Sequence, residues 1–400
     1  MSHLLSVSLL SDRSAEHLQH LLDALKTLDA RIVDVQQHEG HFTGFASLVI
    51  DTASDHDLEG VKQHLDTQAG LSDAQIDLQE LSPDDFAHLQ ADETAPRFIA
   101  TLLGRTLSPE NIQQVISVAL QHGLRLERIR RLSENLSVNA ERACVELALV
   151  GAVEDITAVR KDVLAISQAS DIDIAIQEDD IYRRHRRLVV FDMDSTLIKC
   201  EVIDELARAA GTVDEVAKIT AAAMRGEIPF DESFRTLLGT LKGLDETVLK
   251  NIVENLPIME GADRLMKTLK GLGYKVGILS GGFEYFAEHL KARWGIDCIS
   301  ANKLEIVDGK MTGEVKGQII NGDEKARRLK MMAEEAGFHM AQTVAVGDGA
   351  NDLPMLSIAG LGVAFHAKPL VQEKAKHSVS TLGLDALLYL LGIADRDIDA

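Results

Sequence analysis

The sequence predicts two small α+β modules followed by a parallel α/β domain that carries a helical insert. Within residues 1–178 the order strand, helix, strand, strand, helix, strand occurs twice. After residue 186, apolar β-branched runs alternate with helical patterns, as in a parallel sheet that is buried on both faces. A long segment at about 202–271 follows the first of these runs and has helical patterns only. We therefore predict a doubly wound α/β sheet whose carboxyl edge is covered by a helical cap.

The chain length requires more than one domain. With 400 residues and 46% hydrophobic content, the chain exceeds the roughly 250–300 residues that one core usually serves. We assign residues 1–82 and 96–178 to the two modules and residues 186–392 to the α/β domain. The polar segment SPDDFAHLQADETAP between the modules is predicted to be a linker. We expect the α/β domain to fold without the modules.

The two modules are predicted from strand-like runs separated by helical patterns. In the first module the strands are LLSVSLL, RIVDVQQHEG, HFTGFASLVID and IDLQEL, with helices near 15–28 and 58–67. In the second they are RFIATLLG, LRLERIRRLS, ERACVELALVG and DIDIAIQED, with helices near 109–122 and 155–167. This internal repeat resembles a tandem of ACT domains, which are small-ligand-binding and dimerising modules. The resemblance implies ferredoxin-like modules and a homodimer, while a purely structural role without a ligand is equally open.

The α/β domain has three strand-like runs that end in polar residues: RLVVFD, YKVGILS and TVAVGD. Between the second and third of these, LEIVDGKMTG predicts a hairpin, because Asp308-Gly309 suits a tight primed turn. Parallel strands present their carboxyl ends at one edge of the sheet, where ligands bind in open α/β folds. The residues that follow these strands are therefore the candidates for chemistry.

Charge and cysteine content narrow the classes of partner. The 63 acidic and 41 basic residues give a formal net charge of -22, which disfavours nucleic acid and anionic membranes as partners. No apolar run approaches the roughly 20 residues that span a bilayer, and the apolar stretch from Leu4 to Leu10 reads as a strand rather than a signal peptide. The three cysteines are far apart, so reduced cytoplasm is the expected location.

The segment FDMDSTL places Asp192 and Asp194 just past the first strand of the sheet. In an extended stretch, residues two apart point the same way, so both carboxylates can face one site. A carboxylate there can attack a phosphoryl group to form a mixed anhydride. The second can protonate the leaving alkoxide and later deprotonate the attacking water. Asp and Ser are also common turn residues, so this segment alone does not decide between a turn and a site.

The segment VAVGDGANDLPML carries further carboxylates after another strand, Asp348 and Asp352. Mg²⁺ prefers oxygen ligands and keeps several waters, so carboxylates from two adjacent strand ends are sufficient protein ligands. Asp192 and Asp348 fit that requirement, and Asp352 could support the ligands or their waters from behind.

Two more elements complete a site for phosphoryl transfer, in which positioning and charge neutralisation dominate. The strand YKVGILS ends at Ser280-Gly281-Gly282, where a hydroxyl and free backbone N–H groups can hold phosphate oxygens. Lys325, near a predicted helix start, can supply the cation that offsets the charge of phosphoryl group and nucleophile. The order of these elements along the chain, rather than any one of them, makes the site credible.

This constellation resembles the four motifs of the haloacid dehalogenase superfamily, which here read Asp192-Met-Asp-Ser-Thr, Ser280-Gly-Gly, Lys325 and Gly-Asp348-Gly-Ala-Asn-Asp352. Over about 187–392 the chain is similar to the phosphoserine phosphatase family in particular. The features that point to this family are Glu201 and the cap sequence MRGEIPF, with Met224 and Phe230.

The resemblance implies a Mg²⁺-dependent enzyme that hydrolyses the small phosphomonoester O-phospho-L-serine, the last step of serine biosynthesis. It implies that Asp192 is nucleophile and metal ligand, that Asp194 is general acid and base and offers the metal its backbone carbonyl, and that Asp348 completes the protein ligands. The residues expected at the substrate are Ser280, Gly281, Lys325 and Asn351 for the phosphate, Glu201 for the ammonium, and Met224 and Phe230 in the cap.

Two departures from the family pattern qualify this assignment. The family usually has an arginine for the substrate carboxylate seven residues after the cap phenylalanine, where this chain has Leu237. Arg235 is a tentative substitute, although residues two apart on a helix do not share a face. The modules also lack a glycine-rich turn after their first strands, since only Gly104 remains, so feedback binding of serine is not expected.

Two alternatives to this function stay open. A related phosphatase or phosphotransferase acting on another small phosphomonoester is favoured by Leu237. A protein of another class, regulatory or ligand-sensing and merely phosphorylated on Asp192, is disfavoured by Asp194, because a general base so close would hydrolyse the intermediate.

Overall fold

The computed structural model describes residues 3–39, 43–52, 57–134, 142–225 and 227–398, in two compact units, Met1–Ala95 and Pro96–Ala400. The strands are β1 His3–Ser11, β2 Arg31–Glu39, β3 Gly44–Thr52, β4 Gln75–Glu80, β5 Arg97–Gly104, β6 Arg125–Arg131, β7 Ala143–Val150, β8 Ile172–Glu178, β9 Leu188–Phe191, β10 Lys275–Phe283, β11 Cys298–Val307, β12 Lys310–Lys316, β13 Thr343–Gly347, β14 Leu361–Phe365 and β15 His377–Val379. The helices are α1 Ser14–Thr27, α2 Leu58–Asp66, α3 Pro83–Thr94, α4 Pro109–Gln121, α5 Ile156–Ala169, α6 Val202–Ala210, α7 Val213–Met224, α8 Phe230–Gly239, α9 Thr247–Glu254, α10 Ala262–Gly271, α11 Glu284–Trp294, α12 Gly322–Glu335, α13 Leu353–Ile358, α14 Pro369–Lys374 and α15 Leu387–Leu390.

The first unit is an antiparallel sheet in the order β2-β3-β1-β4, with α1 and α2 contributing to its core. Alternate residues of β1, Leu5, Val7 and Leu9, are fully buried, as the period of two requires when one face of a sheet is covered. The segment predicted as a linker is the helix α3. Its first turn is fixed by a capping box between Ser82 and Asp85 and by Pro83 at the first helical position, which are local helix-start signals.

The second module has the same topology as the first. Its antiparallel sheet has the order β6-β7-β5-β8, which is the order of the first sheet with each strand advanced by four. The predicted internal repeat of α+β ferredoxin-like modules is therefore confirmed.

The remaining strands form one seven-stranded sheet in the order β12-β11-β10-β9-β13-β14-β15. Its strands are parallel except for β12, which pairs antiparallel with β11. The turn between β11 and β12 has positive φ angles at Asp308 (50°) and Gly309 (75°), as the predicted primed hairpin requires. The short strand β9 lies at the centre of the sheet, between β10 and β13, so residues that follow these three strands are neighbours.

The predicted helical insert is present between β9 and β10. Helix α6 contacts α7 and α9, and α8 contacts α7 and the hairpin strand β12, whereas α10 packs against β10 and α11. The chain that follows β9 is tied to the end of the insert, because Lys199 N–H donates to the Pro257 carbonyl and Met259 N–H donates to the Leu197 carbonyl.

The second module and the seven-stranded sheet share one hydrophobic core. Leu103, Leu132 and Ala175 of the module are buried in the same cluster as Phe191 and Leu390. We expected the α/β domain to fold without either module. The shared core argues against this expectation for the second module.

Polar contacts cross the same boundary. The Asp173 carboxylate on β8 accepts hydrogen bonds from the backbone N–H groups of Ser380 and Thr381, at 2.8 Å each, and from the Thr381 hydroxyl at 2.7 Å. No described helix combines the length and apolar character needed to cross a membrane.

We predict that removing residues 1–95 leaves the second unit folded, whereas removing residues 1–181 destabilises it by at least about 3 kcal/mol, because buried apolar side chains of the module are lost. Urea unfolding of both truncated proteins, followed by tryptophan fluorescence at Trp294, measures the difference. Equal midpoints and slopes would show that the shared core contributes little.

Candidate active site

Asp192 is the first residue after the central strand β9. Its backbone N–H donates to the Val346 carbonyl at 2.9 Å, which continues the pairing of β9 with β13 by one residue. Its Oδ1 accepts a hydrogen bond from the Met193 N–H at 2.7 Å, and its Oδ2 lies 2.8 Å from Nζ of Lys325. The carboxylate is thus held at the carboxyl edge of the sheet by its own strand and by one cation.

Lys325 is a fully buried ammonium between two carboxylates. Its Nζ lies 2.8 Å from Asp192 Oδ2 and 2.6 Å from Asp352 Oδ1, and its side chain is 0% exposed. Burial alone would lower the pKa of Lys325, but the two carboxylates outweigh it and the pKa is raised. The lysine is therefore charged, and it projects from the first turn of α12, where Asn321 caps the helix by accepting from the Glu324 N–H.

The structure brings Asp348 and Asp352 to Asp192, as predicted. One carboxylate oxygen from each lies within 4.8 Å of the others, close enough to hold one metal ion. Both oxygens of Asp352 already accept hydrogen bonds, from Lys325 at 2.6 Å and from the Gly349 N–H at 2.9 Å. Both oxygens of Asp192 are also in polar contacts, but each carboxylate oxygen has two lone pairs, so Asp192 and Asp348 keep lone pairs for a cation.

The pKa values of this cluster report excess negative charge. Burial, with the charges of Asp192 and Asp352, raises the pKa of Asp348 to about 8. Burial and Asp192 also raise the pKa of Asp352 to about 7. A cluster of oxygen donors with excess negative charge suits a divalent cation. Such a cation would favour the ionised forms of Asp348 and Asp352.

Asp194 is held by the start of the cap. Its Oδ1 accepts a hydrogen bond from the N–H of Val202, the first residue of α6, at 2.9 Å. A Cβ on Gly282 would collide with its Oδ2, so the glycine is needed to let this carboxylate approach the end of β10. Desolvation, with the charges of Glu201 and Asp192, raises the pKa of Asp194 well above its ordinary value, which favours a protonated acid.

The turn after Asp194 aims two further side chains. Ser195 has a positive φ of 55°, a conformation that is uncommon outside glycine and often marks functional turns. Its hydroxyl donates to Oε1 of Glu201 at 2.7 Å. Burial, together with Asp192, raises the pKa of Glu201 against the lowering effect of this hydrogen bond. The predicted ammonium-binding carboxylate therefore lies beside the Asp192–Asp194 segment.

The end of β10 supplies a hydroxyl to the same edge. Ser280 is fully buried, and its Oγ accepts a hydrogen bond from the Gly282 N–H at 2.9 Å, so its own hydrogen is free to donate. The N–H of Gly282 is thus occupied, in contrast to the free backbone groups that the sequence predicted. A Cβ on Gly281 would lie 3.8 Å from Nδ2 of Asn351 and 3.3 Å from the ring of Phe230. Asn351 and the cap therefore both reach Gly281.

The structure does not bring Arg235, the tentative partner of the substrate carboxylate, to the site. Arg235 is exposed and lies 3.8 Å from Glu314 on β12, and Leu237 is half-buried on the helix side occupied by Phe234. The tentative use of Arg235 for the substrate is thus unsupported, because it lies on the outer face of α8. The side chain of Met224 lies outside what the structure describes.

Two contributors were missed by the sequence reading. The buried Thr196 donates from its hydroxyl to Oδ1 of Asp348 at 3.1 Å, which links the segment after β9 to the end of β13. The Val202 N–H holds Asp194. Thr196 is part of the Asp192-Met-Asp-Ser-Thr motif, which is a signal in the sequence. The contact between the Val202 N–H and Asp194 has no such signal, because any residue at position 202 other than proline has an N–H.

Comparison with known proteins agrees with this geometry. Residues 189–357 match the haloacid dehalogenase-like hydrolase family. A phosphoserine phosphatase of Streptomyces coelicolor is 44% identical over 304 residues, 76% of this chain and 72% of that protein. The chain belongs to the phosphoserine phosphatase family of haloacid dehalogenase-like hydrolases. Hydrolases of this superfamily typically use a divalent metal. The substrates of the phosphoserine phosphatase family are small phosphate esters.

Other relatives extend the similarity into the N-terminal half. A phosphoserine phosphatase of Mycobacterium tuberculosis is 38% identical over 343 residues, 86% of this chain and 82% of that protein. The unliganded crystal structure of a probable phosphoserine phosphatase from Vibrio cholerae superposes with a TM-score of 0.59 and 35% identity, over 76% of this chain and 88% of that one.

We predict that Asp192→Asn lowers kcat by at least about a thousandfold, because an amide cannot act as the nucleophile. The fold should persist, since the side-chain oxygen can still accept from Met193. Phosphate release measures the first effect and thermal unfolding the second, with the exposed Asp214→Asn as the matched control. Residual turnover of more than a small percentage, after contamination is excluded, would contradict a covalent role for Asp192.

Proposed function

We propose that this chain hydrolyses O-phospho-L-serine to L-serine and phosphate through an aspartyl phosphate on Asp192, as the last step of serine biosynthesis. The observation that carries the proposal is the position of the Asp192 carboxylate at the end of the central strand, in contact with the buried ammonium of Lys325. Several similar proteins that are phosphoserine phosphatases support this substrate.

The chemistry proceeds in two steps. A carboxylate oxygen of Asp192 attacks phosphorus, the bond to the serine oxygen breaks, and protonated Asp194 gives its proton to the leaving alkoxide. Asp194, now ionised, removes a proton from water as the water attacks the aspartyl phosphate and releases phosphate. The raised pKa of Asp194 supports its role as the acid in the first step. The phosphoryl oxygens are held by four residues: Lys325, Gly281, Asn351 and, through its hydroxyl, Ser280.

The cofactor we propose is Mg²⁺. The carboxylates of Asp192 and Asp348 and the backbone carbonyl of Asp194 would hold it, and Asp352 would orient Lys325 and Gly349 beside them. The ion would neutralise charge on the phosphoryl oxygens. The oxygen-only donor set supports a hard cation.

For substrate recognition we propose Glu201 as partner of the serine ammonium, with Phe230 and Met224 closing the site. The serine carboxylate would need a cationic partner. Three cap arginines are exposed and lie near carboxylates of the protein: Arg208 with Glu205, Arg225 with Glu227, and Arg235 with Glu314. This pairing, with Leu237, favours a second candidate function, hydrolysis of a small phosphomonoester that has an amine but no carboxylate.

The organisation we propose is three domains, at 1–82, 96–178 and 186–392, with a homodimer formed through the N-terminal modules. The repeated ferredoxin-like topology supports the module assignment. The cysteines Cys144, Cys200 and Cys298 are unpaired, which supports a reducing, cytoplasmic location.

We predict that chelation of divalent metal abolishes activity and that Mg²⁺ restores it, whereas Ca²⁺ does not, because its larger and looser coordination sphere would misplace the phosphoryl group. Phosphate release after dialysis against chelator and readdition of each ion measures this, and Asp348→Asn should require more Mg²⁺ than Asp214→Asn. Full activity in Ca²⁺ alone would contradict a site at Asp192 and Asp348 that requires the octahedral coordination of Mg²⁺.

The substrate proposal is tested by kcat/KM for L-phosphoserine, phosphoethanolamine and p-nitrophenyl phosphate. We expect a preference for phosphoserine over phosphoethanolamine of about 10- to 150-fold, the value of one charged hydrogen bond. Arg235→Ala should change kcat/KM for phosphoserine and for phosphoethanolamine by no more than about twofold, because exposed ion pairs contribute little. Equal rates for the first two substrates would support the second candidate function instead.

A further inference from the structure

Strand β10 leaves its neighbour β11 at the point where it enters the active site. The two strands pair in register from Gly277 with Cys298 to Leu279 with Ser300, and the next pair is Phe283 with Asn302. Three residues of β10, Ser280 to Gly282, therefore oppose one residue of β11. This irregularity turns the Ser280 hydroxyl towards the site, and it removes the backbone partners that would otherwise fix the segment.

The Asn302 side chain occupies this gap. It is 2% exposed. Its Nδ2 donates to the Gly281 carbonyl at 2.8 Å, and its Oδ1 accepts from the Ile320 N–H at 2.9 Å. Both polar atoms of one buried carboxamide are thus used on backbone groups from two different segments. Only a side chain that donates and accepts at once can satisfy both.

The segment held on the other side leads directly to Lys325. Ile320 is followed by Asn321, which caps α12 by accepting from the Glu324 N–H at 3.1 Å, and whose carbonyl accepts from the Lys325 N–H at 2.9 Å. One turn of helix therefore separates the Asn302 contact from the buried ammonium. Asn302 joins the backbone beside Ser280 to the backbone that carries Lys325.

We propose that Asn302 is a positioning residue for phosphoryl binding, which sets the separation of the Ser280 hydroxyl and the Lys325 ammonium without touching the substrate. The inference rests on the proposed phosphomonoesterase activity but not on the identity of the alcohol. Without the carboxamide, the Gly281 carbonyl and the Ile320 N–H lose their buried partners, and the two segments separate or rotate to find others.

The test compares Asn302→Leu and Asn302→Asp with Gln177→Leu. Gln177 is a matched control, because it is also a buried carboxamide that donates to a backbone carbonyl, that of Leu390 at 3.0 Å, away from the site. Asn302→Leu removes both contacts, whereas Asn302→Asp keeps an acceptor for Ile320 and loses the donor for Gly281. All three are expected to lower the unfolding temperature.

The expected result is a loss of about 10- to 100-fold in kcat/KM for both Asn302 variants, the size that displacement of positioning groups produces. The loss should be equal for L-phosphoserine and p-nitrophenyl phosphate, and the inhibition constant of inorganic phosphate should rise in parallel. Gln177→Leu should keep both values within about twofold of the unmutated protein, once rates are measured below each unfolding transition.

Wild-type kcat/KM and phosphate inhibition in either folded Asn302 variant would overturn the proposal. So would an equal loss in Gln177→Leu at the same folded fraction, since the effect would then be one of stability. If Asn302→Leu fails to fold, Asn302→Asp decides. Unmutated protein that hydrolyses neither ester would refute the proposed function instead, and phosphate binding by calorimetry would still separate the Asn302 variants from the control.

Discussion

The site depends on one buried cation. The Lys325 side chain is fully buried, and removing such a charge from water costs several kcal/mol unless carboxylates compensate it at close range. Asp192 and Asp352 provide that compensation at 2.8 and 2.6 Å. Because they follow β9 and β13 while the lysine starts α12, this contact fixes the strand ends and the helix relative to one another.

A single ammonium does not balance the carboxylates around it. Five carboxylates converge on the carboxyl edge of the sheet: Asp192, Asp194, Glu201, Asp348 and Asp352. Burial with mutual repulsion raises the pKa of Asp194, Glu201, Asp348 and Asp352. A phosphate ester would be repelled by this cluster alone. A divalent cation held by Asp192 and Asp348 would offset much of this negative charge and so would favour binding of the negative substrate. Burial, with the charges of Glu201 and Asp192, raises the pKa of Asp194 well above its ordinary value, which favours the protonated form that the proposed first step uses.

The sequence predicted what depends on local pattern. The succession of strands and helices along the chain, the repeat, the hairpin at Asp308 and the strand-end carboxylates follow from period, turn chemistry and motif spacing. It did not predict contacts that require the folded chain, such as Thr196 with Asp348 or Asn302 with Gly281. The helix α3 was missed although its capping signals were present, because its composition is polar. The exposed position of Arg235 follows from the packing of α8, which spacing alone could suggest but not decide.

The second module is part of the scaffold that holds the segment after Asp192. Helix α10 carries Arg264, whose guanidinium donates to Asp385 and Asp395 at 2.9 and 2.8 Å. The same two carboxylates accept from the module, Asp385 from Arg142 and Asp395 from the Glu134 N–H. The chain just before α10 is the segment that pairs with the loop after Asp192. These shared carboxylates connect the second module through α10 to the loop that follows Asp192, so displacement of the module would break hydrogen bonds on which the position of that loop depends.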